Sequence, residues 1–212
     1  MYIPAHFADN DTTSLHQLIT AHPFGVLVSH TASGLDANHL PCHLDATQGA
    51  LGRLHLHVAR ANPLWRELAD GDAVLVVFSA GDAYISPSWY PSKHEAHRQV
   101  PTWNYSVAHA HGRVTIRDDE RYLRGVVARL TRTHEAGETR PWKMSDAPAD
   151  FTDTLLKAIV GIEIEITRLE GKRKLSQNKD VRDIDAAGRT LLERGQAEVG
   201  EAMLQEAARK PS

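Results

Sequence analysis

The first apolar positions at helical spacing are Leu15, Leu18 and Ile19, behind Thr12 and Thr13, either of which can cap a helix. The pattern then changes to strands. Phe24 to His30 is rich in β-formers, Ser33-Gly34 marks a turn, and Leu35 to Leu44 reads as the antiparallel partner. A turn at Gly49 to Gly52 leads into Leu54 to Val58, which alternates Leu-His-Leu-His-Val. Asn62-Pro63 opens a short helix through Leu68, with Asn62 as cap and Pro63 at the first helical position. Ala73 to Ser79 is almost continuously apolar, as in a strand buried on both faces, and Gly81-Asp82 turns it into Ala83 to Ser86.

The stretch Pro87 to Pro101 is polar and carries three prolines, so it reads as a loop. Its length points to function, and Trp89 and Tyr90 argue that it is ordered. Trp103 to Arg117 is a long strand with a bend at Gly112. Asp118-Asp119-Glu120 places negative charge at the start of a helix running to Thr133. A loop with Pro141 and Pro148 leads to a helix from Asp150 to Ile159. Gly161 to Leu169 alternates Ile162, Ile164 and Ile166 against Glu163, Glu165 and Thr167, a half-exposed strand. From Asp180 the chain is helix-forming and weakly amphipathic. About seven strands, mostly joined by short turns, favour an antiparallel sheet or barrel, so the expected class is β-rich α+β. Residues 1–180 form the expected domain and 181–212 a C-terminal helical extension.

Composition narrows the function more than the fold. A hydrophobic fraction of 42% and a charged fraction of 24% are ordinary for a globular protein of 212 residues. A net charge of −3 gives no electrostatic reason to expect nucleic acid or an anionic membrane as partner. The single cysteine, Cys42, excludes an internal disulfide and reads as a buried structural thiol in a reducing compartment. Met1 to Asn10 lacks the pattern of a signal peptide, and no segment approaches the roughly 20 apolar residues of a membrane span. The expected location is cytoplasmic. No Gly-x-Gly-x-x-Gly follows a strand, no Walker loop is complete, and no Gly-x-Ser-x-Gly elbow occurs.

Thirteen histidines are the unusual item of the composition. His55/His57 and His109/His111 are His-x-His pairs on expected strands, so each pair shares a face. His39 and His43, four apart on an extended segment, share one too. Such spacing can bind a transition metal, but no acidic residue completes a recognisable ligand set, and histidines bonded to neighbours are the preferred reading. No metal site is therefore assigned.

Three stretches combine cations, amides and aromatics where the chain turns. His57-Val58-Ala59-Arg60-Ala61-Asn62-Pro63 lies at a strand end and helix mouth, where free N–H groups and an arginine fork suit a phosphate; a capped helix with a surface arginine accounts for it equally. Asp82 to Tyr90, with Val100 to Tyr105, brackets amide and hydroxyl donors with aromatics, which suits a planar heteroaromatic ligand. Core or interface anchors would look the same. Arg168 to Asn178 could close over an anion, or form a solvated charged face.

Together with Met1-Tyr2-Ile3-Pro4, Leu35 to Pro41 and Val160 to Ile164, these stretches resemble the PaiB family, described as FMN-binding negative transcriptional regulators. The resemblance covers roughly residues 1–180 and implies an antiparallel FMN-binding split β-barrel with peripheral helices, related to pyridoxamine-phosphate oxidase. It implies a homodimer with FMN across the interface. By the same resemblance Arg60, Ala61 and Asn62 would lie near the FMN phosphate, with Lys172 or Lys174 in support. Asn38, His39, Trp103 and Asn104 would lie near the isoalloxazine or ribityl chain. Three functions stay open: an FMN-binding regulator or sensor, an FMN-dependent oxidoreductase on a small molecule, and a metal- or haem-binding barrel using the clustered histidines. DNA binding is implied by the family description and unsupported by the charge.

Overall fold

The alternating segments pair into an eight-stranded antiparallel sheet, described for residues 1–210 by a computed structural model; the last two residues of the expected extension lie outside these. The elements are β1 (Ala8–Asp9), α1 (Thr12–Ala21), β2 (Phe24–Thr31), β3 (Gly34–Pro41), β4 (His43–Asp45), β5 (Arg53–Ala59), α2 (Leu64–Glu67) and β6 (Ala73–Ile85). Then come α3 (Pro91–Ala96), β7 (Thr102–Arg117), α4 (Glu120–His134), α5 (Ala149–Lys157), β8 (Ile159–Lys174), α6 (Val181–Glu193) and α7 (Ala197–Arg209). Strand order is β3-β2-β6-β7-β8-β5-β4, with β1 pairing β8. The sheet is not closed, in keeping with a split barrel.

Two compact units divide the chain, and β6, β7 and β8 each contribute to both. The larger comprises Ile19–Phe78 and His109–Leu169. There β2 pairs β3 from Thr31↔Gly34 to Phe24↔Pro41, and β5 pairs β8 from Arg53↔Glu165 to Ala59↔Ile159. Its buried side chains include Leu27, Leu54, Leu56, Val76, Phe78, Val126, Ile162 and Ile164, the apolar positions of the alternating pattern. The expected strand from Leu35 to Leu44 is two strands, because Cys42 leaves the ladder to donate its N–H to Pro23 O at 2.8 Å. His39 and His43 consequently sit on different strands. Gly112 lies where β8 passes closest: a Cβ there would stand 2.5 Å from Glu165 O. Asp119 caps α4, its carboxylate accepting from Tyr122 N at 2.7 Å.

The smaller unit comprises Met1–Leu18, Ser79–Ala108 and the chain from Glu170 onward. Asp11, rather than a threonine, caps α1, accepting from Thr13 N at 2.9 Å. The expected turn at Gly81-Asp82 is extended strand within β6, and Gly81 N–H donates to Glu198 Oε2 at 3.0 Å. The loop after Pro87 folds into a 3-10 turn, Pro87–Trp89, and α3. The helices expected as an extension are part of this unit's core. Ile184, Ala187, Leu191, Val199 and Met203 pack with Ala83, Ile85, Tyr90 and Leu175 in one buried cluster. The segment reads as a weakly amphipathic appendage in sequence, but α6 is strongly amphipathic in the fold, and the small and apolar stripe of α6 and α7 is what this core buries.

Candidate functional site

In the larger unit the hairpin β2–β3 and the turn after β5 bring together residues distant in sequence. Asn62 Nδ2 donates to Asn38 Oδ1 at 2.9 Å, joining the β5–α2 turn to the edge strand β3. Asn38 Nδ2 donates in turn to Asp36 Oδ2 at 2.8 Å. Asn62 Oδ1 accepts from Leu64 N at 2.9 Å, so the cap expected of Asn62 is present and its side chain is fixed at both ends. Arg60 N, Asn62 N and Leu64 N all have partners within the chain. Ala61 N–H, on an exposed residue of the same turn, has none among the described residues. His39 is exposed on β3, opposite Val26, its ring 6.2 Å from that of Phe24.

Arg60 is anchored. Its Nε donates to Lys157 O at 2.7 Å, Nη1 to Asp118 Oδ2 at 2.8 Å, and Nη2 to Asp118 Oδ1 and Ile159 O. The Asp118 carboxyl is held below its ordinary range by this hydrogen bonding, and the guanidinium pKa is raised. Both side chains are substantially exposed, at 35% and 46%. A surface ion pair this exposed is screened by solvent.

The remaining predicted residues lie in the smaller unit. Trp103 is 54% exposed and meets Tyr84 edge-on, ring centroids 6.0 Å apart. Lys174 Nζ donates to Thr102 Oγ1 and to the Trp103 carbonyl, and its pKa is lowered by burial and by Lys172 and Lys179 nearby. Lys172 is buried, donates to Tyr2 O at 3.2 Å and lies over the Tyr105 ring at 5.3 Å. Asn104 is fully buried, donating to Ser176 Oγ at 2.9 Å and Met203 Sδ at 3.2 Å. Its amide nitrogen is thus bonded within the core, while its Oδ1 is buried without a hydrogen-bond partner among the described residues.

Residues 1–168 match the family model described as "Putative FMN-binding domain". The chain belongs to this family. It is 33% identical over 220 residues to an uncharacterized protein of Emericella nidulans, covering 87% of this chain and 88% of that one. It is 28% identical over 183 residues to the protease synthase and sporulation protein PAI 2 of Bacillus subtilis, covering 86% and 85%. Among solved structures, the flavocytochrome Anf3 of Azotobacter vinelandii superposes with a TM-score of 0.58 at 13% identity, over 81% of this chain and 72% of that one. The FAD and heme binding protein of Mycobacterium smegmatis gives 0.55 at 16%, over 79% and 73%. This is a PaiB-like member of a flavin-binding family, with the split-barrel fold.

The Asn38–Asn62 turn fits what this family requires of an anion-ended cofactor. It offers a backbone N–H at Ala61 with no partner among the described residues, the Arg60 guanidinium paired to Asp118, and the bonded amides of Asn38 and Asn62. What the sequence reading missed is a buried polar cluster on the other part of β5. His55 is 3% exposed, its Nδ1 3.1 Å from Tyr122 Oη and 3.8 Å from Glu163 Oε2. Glu163, also buried, accepts from Arg53 Nη1 at 2.8 Å and Arg117 Nη2 at 3.2 Å. Desolvation, then repulsion from Arg129, pushes the His55 pKa down to about 4. The available signal was register: His43, His55 and Glu163 become neighbours once β4, β5 and β8 are paired. Cys42 is buried as expected, its pKa pushed up to about 12 by desolvation.

Proposed function

We propose that this chain binds FMN as a homodimer and works as a flavin-dependent sensor or regulator of the PaiB type. The observation that carries the reading is the β5–α2 turn, where Ala61 N–H and Arg60 stand beside the Asn38–Asn62 pair. There Arg60 and Ala61 would take the phosphate, with Asn38, Asn62 and His39 along the ribityl chain. Trp103, Asn104, Lys172 and Lys174 remain flavin candidates within the smaller unit, Trp103 through its exposed ring. When bound, the flavin supplies the redox chemistry, and the chain's residues bind and orient it.

Dimerisation is supported by one face of the β3-β2-β6 sheet. Val26, Val28, Leu75 and Val77 are only half-buried there, and Phe24 and Leu35 are 64% and 80% exposed. Such a face fits an interface between copies. A net charge of −3 gives no support to direct DNA contact, so a small-molecule ligand is the favoured effector.

The test is the absorption spectrum of the native protein, with mass spectrometry of what it releases. FMN is expected, and Arg60→Ala should weaken its retention by about tenfold. Unchanged FMN affinity would remove Arg60 from the phosphate. Light scattering at micromolar concentration should give a dimer mass. Reduction by NAD(P)H with turnover of an acceptor would instead favour an oxidoreductase.

A second reading, haem, is favoured by a cleft of ≈ 410 Å³ in the larger unit. His30 and His111 line it beside Arg113 and Arg168, over Val28 and Leu75. Of the solved structures that share this fold, one is a flavocytochrome and another is an FAD and heme binding protein. A Soret band in the same spectrum decides it.

A further inference from the structure

The cluster around His55 contains one buried group without a hydrogen-bond partner on β5, and α4, which packs over β4 and β5, carries another. On α4, Tyr122, Val126 and Arg129 follow at i, i+4 and i+7, one stripe turned to the sheet. Val126 is fully buried on that stripe. Tyr122 lies against Gly161, where a Cβ would come 2.5 Å from its ring, so the stripe is seated directly on the sheet. His43 stands opposite His55 in register, their rings 6.3 Å apart.

Proton bookkeeping fixes the tautomer of His55. Tyr122 Oη donates its only proton to Ile162 O at 3.1 Å, because a carbonyl can only accept. The Tyr122 oxygen must therefore accept from His55 Nδ1–H, and the carboxylate of Glu163 favours the same proton position. That leaves a bare lone pair on His55 Nε2, which is buried and has no hydrogen-bond partner among the described residues. Arg129 Nε is likewise buried and unpartnered, and the guanidinium joins no ion pair among the described residues. Arg129 and His43 are half-buried, so the cluster reaches solvent through them. Both histidines feel the arginine charge, which lowers their pKa values further below what burial alone gives. The surrounding charges are Asp45, Arg53, Glu163 and Glu165 from the strands and Arg117 beside Tyr122. Asp45 is already occupied by Thr47 and Gln48, and Glu163 by Arg53 and Arg117.

A buried acceptor beside an unpaired guanidinium asks for a ligand that is anionic and yet carries a proton to donate. A metal ion is disfavoured by Arg129, and a fully deprotonated anion would meet the His55 lone pair with its own. We propose that Arg129, His43 and His55 form a binding site for a hydrogen-phosphate group. Arg129 and His43 hold the charged oxygens, and the P–OH donates to His55 Nε2. This site is separate from the flavin turn and does not depend on the flavin reading.

The experiment is calorimetric titration of the native protein with inorganic phosphate, glycerol phosphate and sulfate at pH 7. Sulfate has the same shape and no proton, so phosphate should bind about tenfold tighter or better. The tighter of the two phosphates tells the free ion from an ester head group. Arg129→Gln should lose phosphate binding by about tenfold, Arg129→Lys should recover part of it, and flavin content should be the same in both. Imidazole ¹⁵N chemical shifts should report Nδ1–H on His55 and a phosphate-dependent shift at Nε2. Equal affinity for sulfate, no binding of either phosphate up to about 10 mM, or undiminished binding in Arg129→Gln would overturn the proposal. Parallel loss of flavin and phosphate in Arg129→Gln would overturn its separation from the flavin turn.

Discussion

Acidification from pH 7 to 4.5 is expected to destabilise this protein through His55. The imidazole is 3% exposed and its pKa falls from the ordinary 6.5 to about 4, first by desolvation and then by Arg129. A depressed histidine pKa means that the folded state disfavours the proton. The stability this group contributes is therefore complete above pH 6.5, where both states are neutral. It declines as the unfolded chain takes up the proton first, and the loss is complete below about pH 4. The difference between the two pKa values corresponds to about 3 kcal/mol in all, of which about 2.5 kcal/mol is gone at pH 4.5. His43 and His57, both depressed chiefly by burial, add to the loss in the same direction. Asp45 acts in a separate window: hydrogen bonds from Thr47 and Gln48 lower its carboxyl to about 2, so its contribution fades only below the ordinary 3.8. The assay is urea unfolding of the wild type and of His55→Gln at pH 7 and pH 4.5. The variant starts less stable, because Tyr122 and Glu163 lose a neighbour, but it should lose about 2.5 kcal/mol less than the wild type on acidification. Equal losses in the two proteins would refute the reasoning.

Gly161→Ala should destabilise by about 1–3 kcal/mol in the same assay at pH 7, since the new Cβ would meet Tyr122 at 2.5 Å and the Arg117 carbonyl at 2.9 Å. A loss below about 0.5 kcal/mol would mean that Tyr122 is not pressed onto β8. Leu191→Ala removes a fully buried side chain from the core shared by α6, α7 and the strand segments of the smaller unit. About 2–5 kcal/mol should be lost, whereas a dispensable C-terminal extension would leave the unfolding of the rest unchanged.

The elements with a clean two-residue or helical period were legible in the chain. Phe24 to His30, Leu54 to Val58 and Ile162 to Ile166 are each a strand; the apolar side chains of the last two are buried, whereas on the first Leu27 is buried, Val26 and Val28 are half-buried and Phe24 is exposed. The signals that misled were local ones overridden at a distance. Gly81-Asp82 has turn chemistry, yet Glu198 accepts the Gly81 N–H and the backbone stays extended. Cys42 sits in an apparently continuous strand, yet Pro23 draws its N–H out of the ladder. Of the candidate site, Asn62 announced itself as a cap, but its second bond, to Asn38, depends on the β5–α2 turn meeting the edge strand β3. Asn104 carries polar chemistry in the sequence, but its bonds to Ser176 and Met203 and its unpartnered Oδ1 appear only once α7 is packed.

By itself the sequence determined the class of fold, the places where strands begin and end to within a few residues, and the membership of a flavin-binding family. These follow from periodicity, turn residues and long shared strings, all properties of neighbouring positions. The tertiary structure alone decided which polar groups meet. His43, His55 and Glu163 are at most 120 residues apart along the chain and adjacent across three strands, with Tyr122 delivered onto them by a helix. Register and helix seating are set by the sum of many burials rather than by any local string, so the lone pair on His55 and the unpaired Arg129 appear only once the sheet is assembled.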